Sequence, residues 1–209
     1  FSMVSLLGTF DLVLVAGCES RFNSLQEMLA YAKANPGKLN IGSINIGSTQ
    51  HLAAELFKSV AGLDAQVVPF NGTPAVVTAL RGGQIDVAAE VLSPVLPQIK
   101  GGVLKALAIT GTRRSPALPQ VPTAREAGVA NLIASSWNAL GVPARTPREV
   151  VERLNREVVA ALNHAPTRQK LVDMNIEPAP GTPIQAQEWL AAETKRWGDV
   201  IQRAGIQKQ

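Results

Sequence analysis

The segment Gly42–Leu52 has the residue types of an anion-binding loop. It follows a short apolar run, opens a helical pattern and is rich in small, hydroxylated and amide-bearing residues. A loop that joins a strand to a helix leaves backbone N–H groups unpaired at the positive end of the helix dipole. The loop contains no Lys or Arg, so it suits a carboxylate or phosphate held mostly by main-chain donors.

Several residues of this loop are candidates for ligand contact. Gly42 and Gly47 allow close approach to the backbone, and hydroxyl groups stand beside main-chain N–H groups at Ser43, Ser48 and Thr49. Ser48 also occupies the position of a helix cap. The two roles are compatible, because a cap position is where an anion binds.

Two other segments hold candidate ligand contacts. Asn71-Gly72-Thr73-Pro74 has the pattern of a second helix start, with Thr73 as the cap, and its N–H groups can serve the same ligand. Glu90 ends a predicted strand. It can accept a hydrogen bond from a ligand hydroxyl or ammonium group, or it can form a salt bridge at the sheet edge, and the sequence leaves both roles open.

His51 follows Ser48 by three residues, which raises the question of a nucleophilic Ser-His pair in a hydrolase. No glycine-flanked serine turn surrounds Ser48, and no third residue is evident to orient the imidazole. We therefore predict that His51 supports the loop by hydrogen bonding, and that the chain is not an enzyme.

Composition disfavours several functional classes. The chain has 209 residues, 46% hydrophobic and 17% charged, so it can bury a sizeable core. Aromatic residues make up 4%, and the basic residues behind the net charge of +4 are scattered, which disfavours nucleic-acid binding. Cys18 is the single cysteine, so we expect neither an internal disulfide nor a cysteine metal site. We predict no cofactor and no metal.

Apolar runs and helical patterns alternate along most of the chain, as in α/β proteins. Helices are predicted from the capping box Ser24–Glu27, over 49–61, from Thr73, and over 123–128 after a second capping box. The predicted strands are 10–15, 39–43, 65–70, 85–90, 104–110, 133–142 and 176–179.

The C-terminal third is predicted to be mostly helical. Thr146–Glu149 has the spacing of a capping box, and the helix that follows should bury one face. The residues of that face are Val150, Leu154, Val158 and Leu162. A further helix is predicted from Thr182.

Several ordered segments carry a resemblance to a known family: Ala30–Asn40, Gly42–Leu52, Val68–Gly72, Gly82–Val87, Leu96–Lys100, Arg114–Pro119, Pro122–Thr123, Glu126–Gly128 and Ala204–Ile206. They resemble the substrate-binding receptors of tripartite tricarboxylate transporters, a bacterial family of periplasmic proteins of the Bug or TctC type. The resemblance covers essentially the whole chain, and so many matches in one order are specific.

The resemblance implies a two-lobed α/β fold of the periplasmic-binding-protein type (type II). Its lobes, hinged by crossover strands, would close on a small carboxylate that is handed to the permease subunits of a membrane transporter. Residues 17–138 would form a complete ligand-binding lobe, and residues 1–16 and 139–209 the remainder of the other lobe. Family members carry a further N-terminal segment with a signal peptide, which this sequence does not contain. We therefore expect an incomplete first lobe and a periplasmic location.

The sequence departs from the family pattern at positions that bear on the ligand. Asn45 stands where the family usually has glycine, which is tolerable because Asn adopts left-handed conformations readily. Glu90 replaces the usual Asp, and Phe70-Asn71 replaces the usual Tyr-Lys. We include Asn45 and Asn71 among the candidate ligand contacts. The ligand class remains open between an organic acid and an acidic amino acid.

An incomplete first lobe has two expected consequences. Loss of ligand contacts would weaken carboxylate binding by this chain alone, and unpaired strand edges would favour self-association. An alternative function is therefore a receptor-like sensory or protein-interaction module without efficient ligand binding.

Overall fold

A computed structural model of the chain describes residues 1–206. Its strands are β1 (Ser2–Gly17), β2 (Leu39–Ile44), β3 (Ala65–Phe70), β4 (Val87–Val91), β5 (Leu104–Ile109), β6 (Ser135–Val142) and β7 (Ile176–Pro178). Its helices are α1 (Leu25–Ala34), α2 (Thr49–Val60), α3 (Thr73–Arg81), α4 (Leu92–Lys100), α5 (Arg148–Asn163), α6 (Ala165–Asp173) and α7 (Pro183–Ala204).

Contacts divide the chain into two compact units. The first unit comprises Phe1–Phe10 and Ser136–Asp199, and the second comprises Asp11–Ser135 and the residues from Val200 onward. Val200 joins the second unit because it is buried and lines one groove with residues at the end of α2. The lobe limits derived from the sequence, 17–138 with 1–16 and 139–209, stay a prediction.

The second unit is built on a mixed sheet with the strand order β3-β2-β4-β1-β5. β2 runs parallel to both β3 and β4, whereas β1 runs antiparallel to β4 and β5. Buried residues of α3 and α4, among them Val76, Leu80 and Val95, form one core cluster with Val13 and Ala88 of the sheet. The predicted α/β architecture is confirmed for this unit.

In the first unit, β1 pairs with both β6 and β7. Met3, Leu6 and Ala186 form a small core cluster, against which Trp137 and Leu190 pack. Strand β1 is longer than the predicted 10–15. Its early residues escaped the pattern because Met3 and Val4 are neighbours in sequence and both are buried, so they do not alternate as half-buried strands do.

The capping box at the start of α1 is confirmed. Ser24 Oγ accepts a hydrogen bond from the Glu27 amide at 3.1 Å, and the Glu27 carboxylate accepts one from the Asn23 amide at 2.8 Å. These reciprocal bonds satisfy two amides that have no partner inside the helix.

The helix predicted over 123–128 is wrong, although its capping hydrogen bonds form. Thr123 Oγ1 accepts from the Glu126 amide at 3.1 Å, and Glu126 Oε2 accepts from the Thr123 amide at 2.7 Å. The segment is nevertheless a series of turns, because Gly128 at φ 97° ends it before a second helical turn can form.

The capping box predicted at Thr146–Glu149 is also wrong. Pro147 is the N-cap of α5 and makes no side-chain capping bond, so the helix begins at Arg148. The buried face of α5 also differs from the predicted one: Val151 is 9% exposed, whereas Val150 is 41% exposed. Leu154 and Val158 are half-buried and Leu162 is buried, as expected.

Candidate functional site

Two helices of the second unit begin at one edge of its sheet. Because β2 and β3 run parallel in register from Leu39↔Ala65 to Ile44↔Phe70, their carboxyl ends lie side by side. A short loop leads from each strand into a helix, from β2 into α2 and from β3 into α3. The positive ends of both helix dipoles therefore lie at this edge.

The loop before α2 is held by hydrogen bonds centred on Ser48. Its Oγ accepts from the His51 amide at 3.1 Å and donates to the Ile44 carbonyl at 3.1 Å. Its amide donates to the Asn45 carbonyl at 3.0 Å, which closes a turn that Gly47 completes at φ 83°. Within the described residues, the amides of Ile46 and Gly47 have no hydrogen-bond partner. The predicted cap at Ser48 is confirmed, and it leaves main-chain donors available.

The start of α3 differs from the prediction in one respect. The N-cap is Gly72, at φ 89° and ψ 163°, and not Thr73, which is the first residue of the helix. The left-handed φ of Gly72 favours glycine there. Because Gly72 has no side chain, no side-chain bond caps this helix. Asn71 is exposed, and Thr73 is half-buried.

Glu90 is buried between the starts of the two helices. Its Oε2 accepts a hydrogen bond from Thr73 Oγ1 at 2.9 Å. Its Oε1 has no hydrogen-bond partner among the described residues, and the residue is 0% exposed. Burial raises the pKa of Glu90 to about 7, although Thr73, Gln50 and the Val91 backbone favour its charged form. Within residues 1–206, no charged group contributes to the shift in the pKa of Glu90, and no salt bridge to its carboxyl group is present.

Ser43 lies apart from Glu90. Since β2 pairs with β4 at Gly42↔Ala88, Gly42 and Ala88 share a sheet face with Glu90, and the neighbouring Ser43 points to the other face. The Ser43 hydroxyl is fully buried and has no hydrogen-bond partner in the described part of the chain. The structure therefore brings Thr73, Ser48 and Glu90 to one edge but directs the Ser43 side chain elsewhere.

His51 supports the loop through its backbone rather than its ring. The His51 amide bonds to Ser48 Oγ, whereas Nδ1 of the buried imidazole has no partner within residues 1–206. Burial lowers the pKa of His51, the Glu55 charge opposes this shift, and the Lys58 charge adds to it. The Ser48 hydroxyl donates to the Ile44 carbonyl and not to the imidazole, so the pair does not have the arrangement of a nucleophile and its base.

Gln50 is a site residue that the sequence analysis missed. It lies in the first turn of α2, is 8% exposed, and its side chain acts on the Glu90 carboxyl group. A long polar side chain two residues after the predicted cap Ser48 is the sequence signal that could have identified it. With Thr73, it brings the first turn of each helix into contact with the same acidic group.

The described residues offer little for other chemistries. Residues 1–206 contain no group of three or more His, Cys, Asp or Glu side chains that could hold a metal ion. No helix within them has both the length and the apolar character needed to cross a bilayer.

Comparison with known sequences gives a consistent result. A sequence model described as "Tripartite tricarboxylate transporter family receptor" (TctC) matches residues 1–206. The chain is 33% identical over 202 residues to Protein BugT of Bordetella pertussis, and the match covers 97% of this chain and 62% of BugT. The chain thus spans less than two thirds of the length of this curated relative.

Solved structures resemble this chain over nearly its whole length. Rpa4515 of R. palustris with adipate has a TM-score of 0.88 and 32% identity, covering 98% of this chain and 69% of that one. MatC (Rpa3494) from Rhodopseudomonas palustris, with bound malate, has a TM-score of 0.83 and 30% identity, covering 96% and 69%. The periplasmic binding protein BugD has a TM-score of 0.85 and 25% identity, covering 100% and 71%.

These matches agree with the family resemblance and with the fold class that it implies, that of a periplasmic binding protein. The family description names a receptor and no enzymatic activity. The chain belongs to the TctC family of tripartite tricarboxylate transporter receptors.

Proposed function

We propose that this chain is the ligand-binding part of a periplasmic receptor for a small carboxylate, either an organic acid or an acidic amino acid. The observation that carries the proposal is the meeting of two helix N-termini at one sheet edge, with unpartnered amides at Ile46 and Gly47. Such an edge attracts an anion without needing a basic side chain. The adipate and malate in the titles of two related structures support the same ligand class.

Each candidate residue has a role in this proposal. Residues 45–49 supply main-chain amides and the hydroxyls of Ser48 and Thr49 to one ligand carboxylate. Asn71, Gly72 and Thr73 supply donors from the second helix start. Glu90 determines, through its protonation state, the charge between the two helix starts. Ser43, whose side chain is buried on the other face of the sheet, could serve the ligand only through its backbone.

The proposed physiological partners follow from family membership. The receptor would deliver its ligand to the membrane permease subunits of a tripartite tricarboxylate-type transporter. Neither a cofactor nor a nucleic acid has a part in this function.

The main-chain contribution of the loop can be tested with a matched pair of variants, Ile46→Pro and Ile46→Ala. Ile46 is the second residue of the turn that the Ser48 amide closes on the Asn45 carbonyl, and Gly47, the third residue, has a φ of 83°. Proline is favoured at the second position of a turn whose third residue has a positive φ. Ile46→Pro therefore removes an amide donor while keeping the turn. Ile46→Ala removes only the side chain.

We expect adipate, malate, aspartate or glutamate to raise the melting temperature of the full chain and to shift its amide NMR signals. Since a hydrogen bond to a charged group contributes about 1.5–3 kcal/mol, Ile46→Pro should weaken binding by roughly ten-fold or more relative to Ile46→Ala. Equal binding by the two variants would contradict the main-chain role. No stabilisation by any member of the panel would favour the alternative, a sensory or protein-interaction module.

A further inference from the structure

Glu90 is an acid placed where the proposed site needs positive potential. The first residue of α3, Thr73, donates to its Oε2, and Gln50 in the first turn of α2 acts on the same carboxyl group. Both helix starts therefore contact one fully buried side chain. The remaining oxygen, Oε1, has no hydrogen-bond partner among the described residues.

Among the described residues, no cation compensates a negative charge at Glu90. The ionisable groups on the elements that pack against or pair with β4 are Asp11 of β1, His51, Glu55 and Lys58 of α2, Arg81 of α3 and Lys100 of α4. None of them contributes to the shift in the pKa of Glu90, which arises from burial and is opposed by hydrogen bonds alone. Lys58 pairs with Glu55 at 3.0 Å, and Arg81 and Lys100 lie in the last turns of their helices.

An ionised Glu90 and a bound carboxylate would compete for the same two helix dipoles. Two like charges in a poorly solvated place repel strongly, and the helix N-termini supply only partial positive charges. A neutral Glu90 removes this repulsion. Its proton can reside on Oε1, since Oε2 already accepts from Thr73.

Building on the proposed function, we propose that Glu90 is a positioning and specificity-determining residue that carries a proton whenever the site holds a carboxylate. Anion binding then takes up a proton, and Glu90 acts through the two helix starts without touching the ligand. The preferred ligand has only carboxylate groups, as adipate does. A ligand that presents an ammonium group at this edge would favour the ionised form of Glu90. Its binding would then take up no proton.

Calorimetry of adipate binding to the full chain at pH 6 and pH 8, in buffers of different ionisation enthalpy, tests this inference. A pKa near 7 for the free site predicts about ten-fold weaker binding at pH 8 than at pH 6, with uptake of about one proton at pH 8. Glu90→Gln should bind adipate equally at both pH values and take up no proton. The control Glu55→Gln, on α2, should keep the pH dependence of the wild type.

The possible outcomes separate the inference from the function on which it rests. Adipate binding without proton uptake, or a pH dependence that survives in Glu90→Gln, would overturn the inference and leave the receptor function intact. Absence of carboxylate binding at every pH would overturn both. Ile46→Pro distinguishes the two results, since it should weaken carboxylate binding in a receptor whose Glu90 takes up no proton.

Discussion

The two units of this chain differ in how completely they bury their apolar side chains. Of the 45 buried hydrophobic residues in the described part of the chain, six belong to the first unit. Of the eight large hydrophobic residues that are exposed there, six belong to the first unit: Phe1, Val150, Val172, Met174, Ile184 and Trp189. The second unit therefore encloses its own core, whereas the first leaves apolar surface in contact with solvent.

Because of this difference, we expect ligand binding to depend on the second unit and association with other protein to depend on the first. Every candidate ligand contact lies in the second unit, on loops, helix starts and strand ends that its enclosed core holds in place. Exposed apolar side chains of the kind found on the first unit are typical of surfaces that contact other protein. Substitutions in the two units should therefore have different consequences.

The largest effect is expected from truncation of the core behind the site. Phe57 on α2 is 0% exposed, so Phe57→Ala should lower the free energy of unfolding by about 3–5 kcal/mol. Val172 on α6 is 44% exposed, and Val172→Ala should change it by less than about 0.5 kcal/mol. Urea denaturation followed by far-UV circular dichroism measures both.

Tryptophan fluorescence assigns these losses to a unit. The three tryptophans, Trp137, Trp189 and Trp197, all belong to the first unit. Their signal reports unfolding there, while the circular dichroism signal reports both units. A loss for Val172→Ala as large as that for Phe57→Ala would remove the contrast between the two units.

A smaller effect is expected from the buried acid, and it depends on pH. Because the pKa of Glu90 is about 7 in the folded chain against an ordinary 4.5, the neutral form is favoured by folding. The contribution of this preference to the free energy of unfolding is fully present below pH 4.5 and is lost as pH rises through 7. As pH rises from 4 to 8, the free energy of unfolding of Glu90→Gln should therefore rise by on the order of 3 kcal/mol relative to that of the wild type.

Glu126 provides a control of opposite sign. Hydrogen bonds from Arg114 and the Thr123 amide lower its pKa, so its contribution is present above the ordinary pKa and is lost as pH falls. Glu126→Gln should therefore lose stability relative to the wild type at neutral pH and approach it in acid. Parallel pH profiles for Glu90→Gln and the wild type would show that folding does not shift the pKa of Glu90.

Features with a short-range cause were predictable from the sequence. Ser48 caps α2 as predicted, α2 begins at Thr49, and β3 has the predicted bounds of 65–70. Each depends on residues within a few positions, whose propensities and capping bonds decide the local conformation. The wrong helix at 123–128 marks the limit of such signals, because a capping box forms there without a helix to follow.

Features set by strand register were not predictable. The side of the sheet on which Ser43 lies follows from the pairing Gly42↔Ala88, which joins residues far apart in sequence. The approach of Gln50 and Thr73 to Glu90 likewise requires two helices and a third strand to meet. A one-residue change in register would exchange these faces, and no local pattern determines the register.

The smallest effect concerns self-association, which the sequence analysis predicted from unpaired strand edges of an incomplete first lobe. Ile184 is 70% exposed at the start of α7, whereas Ile133 in the second unit is 36% exposed. If the apolar surface of the first unit mediates association, Ile184→Gln should weaken it by roughly ten-fold, because burying one such side chain contributes about 1.5 kcal/mol or more. Ile133→Gln, the matched control, should leave association unchanged. Sedimentation equilibrium over a wide concentration range measures both, and a wild-type chain that stays monomeric throughout would show that this exposed surface does not pair copies of the chain.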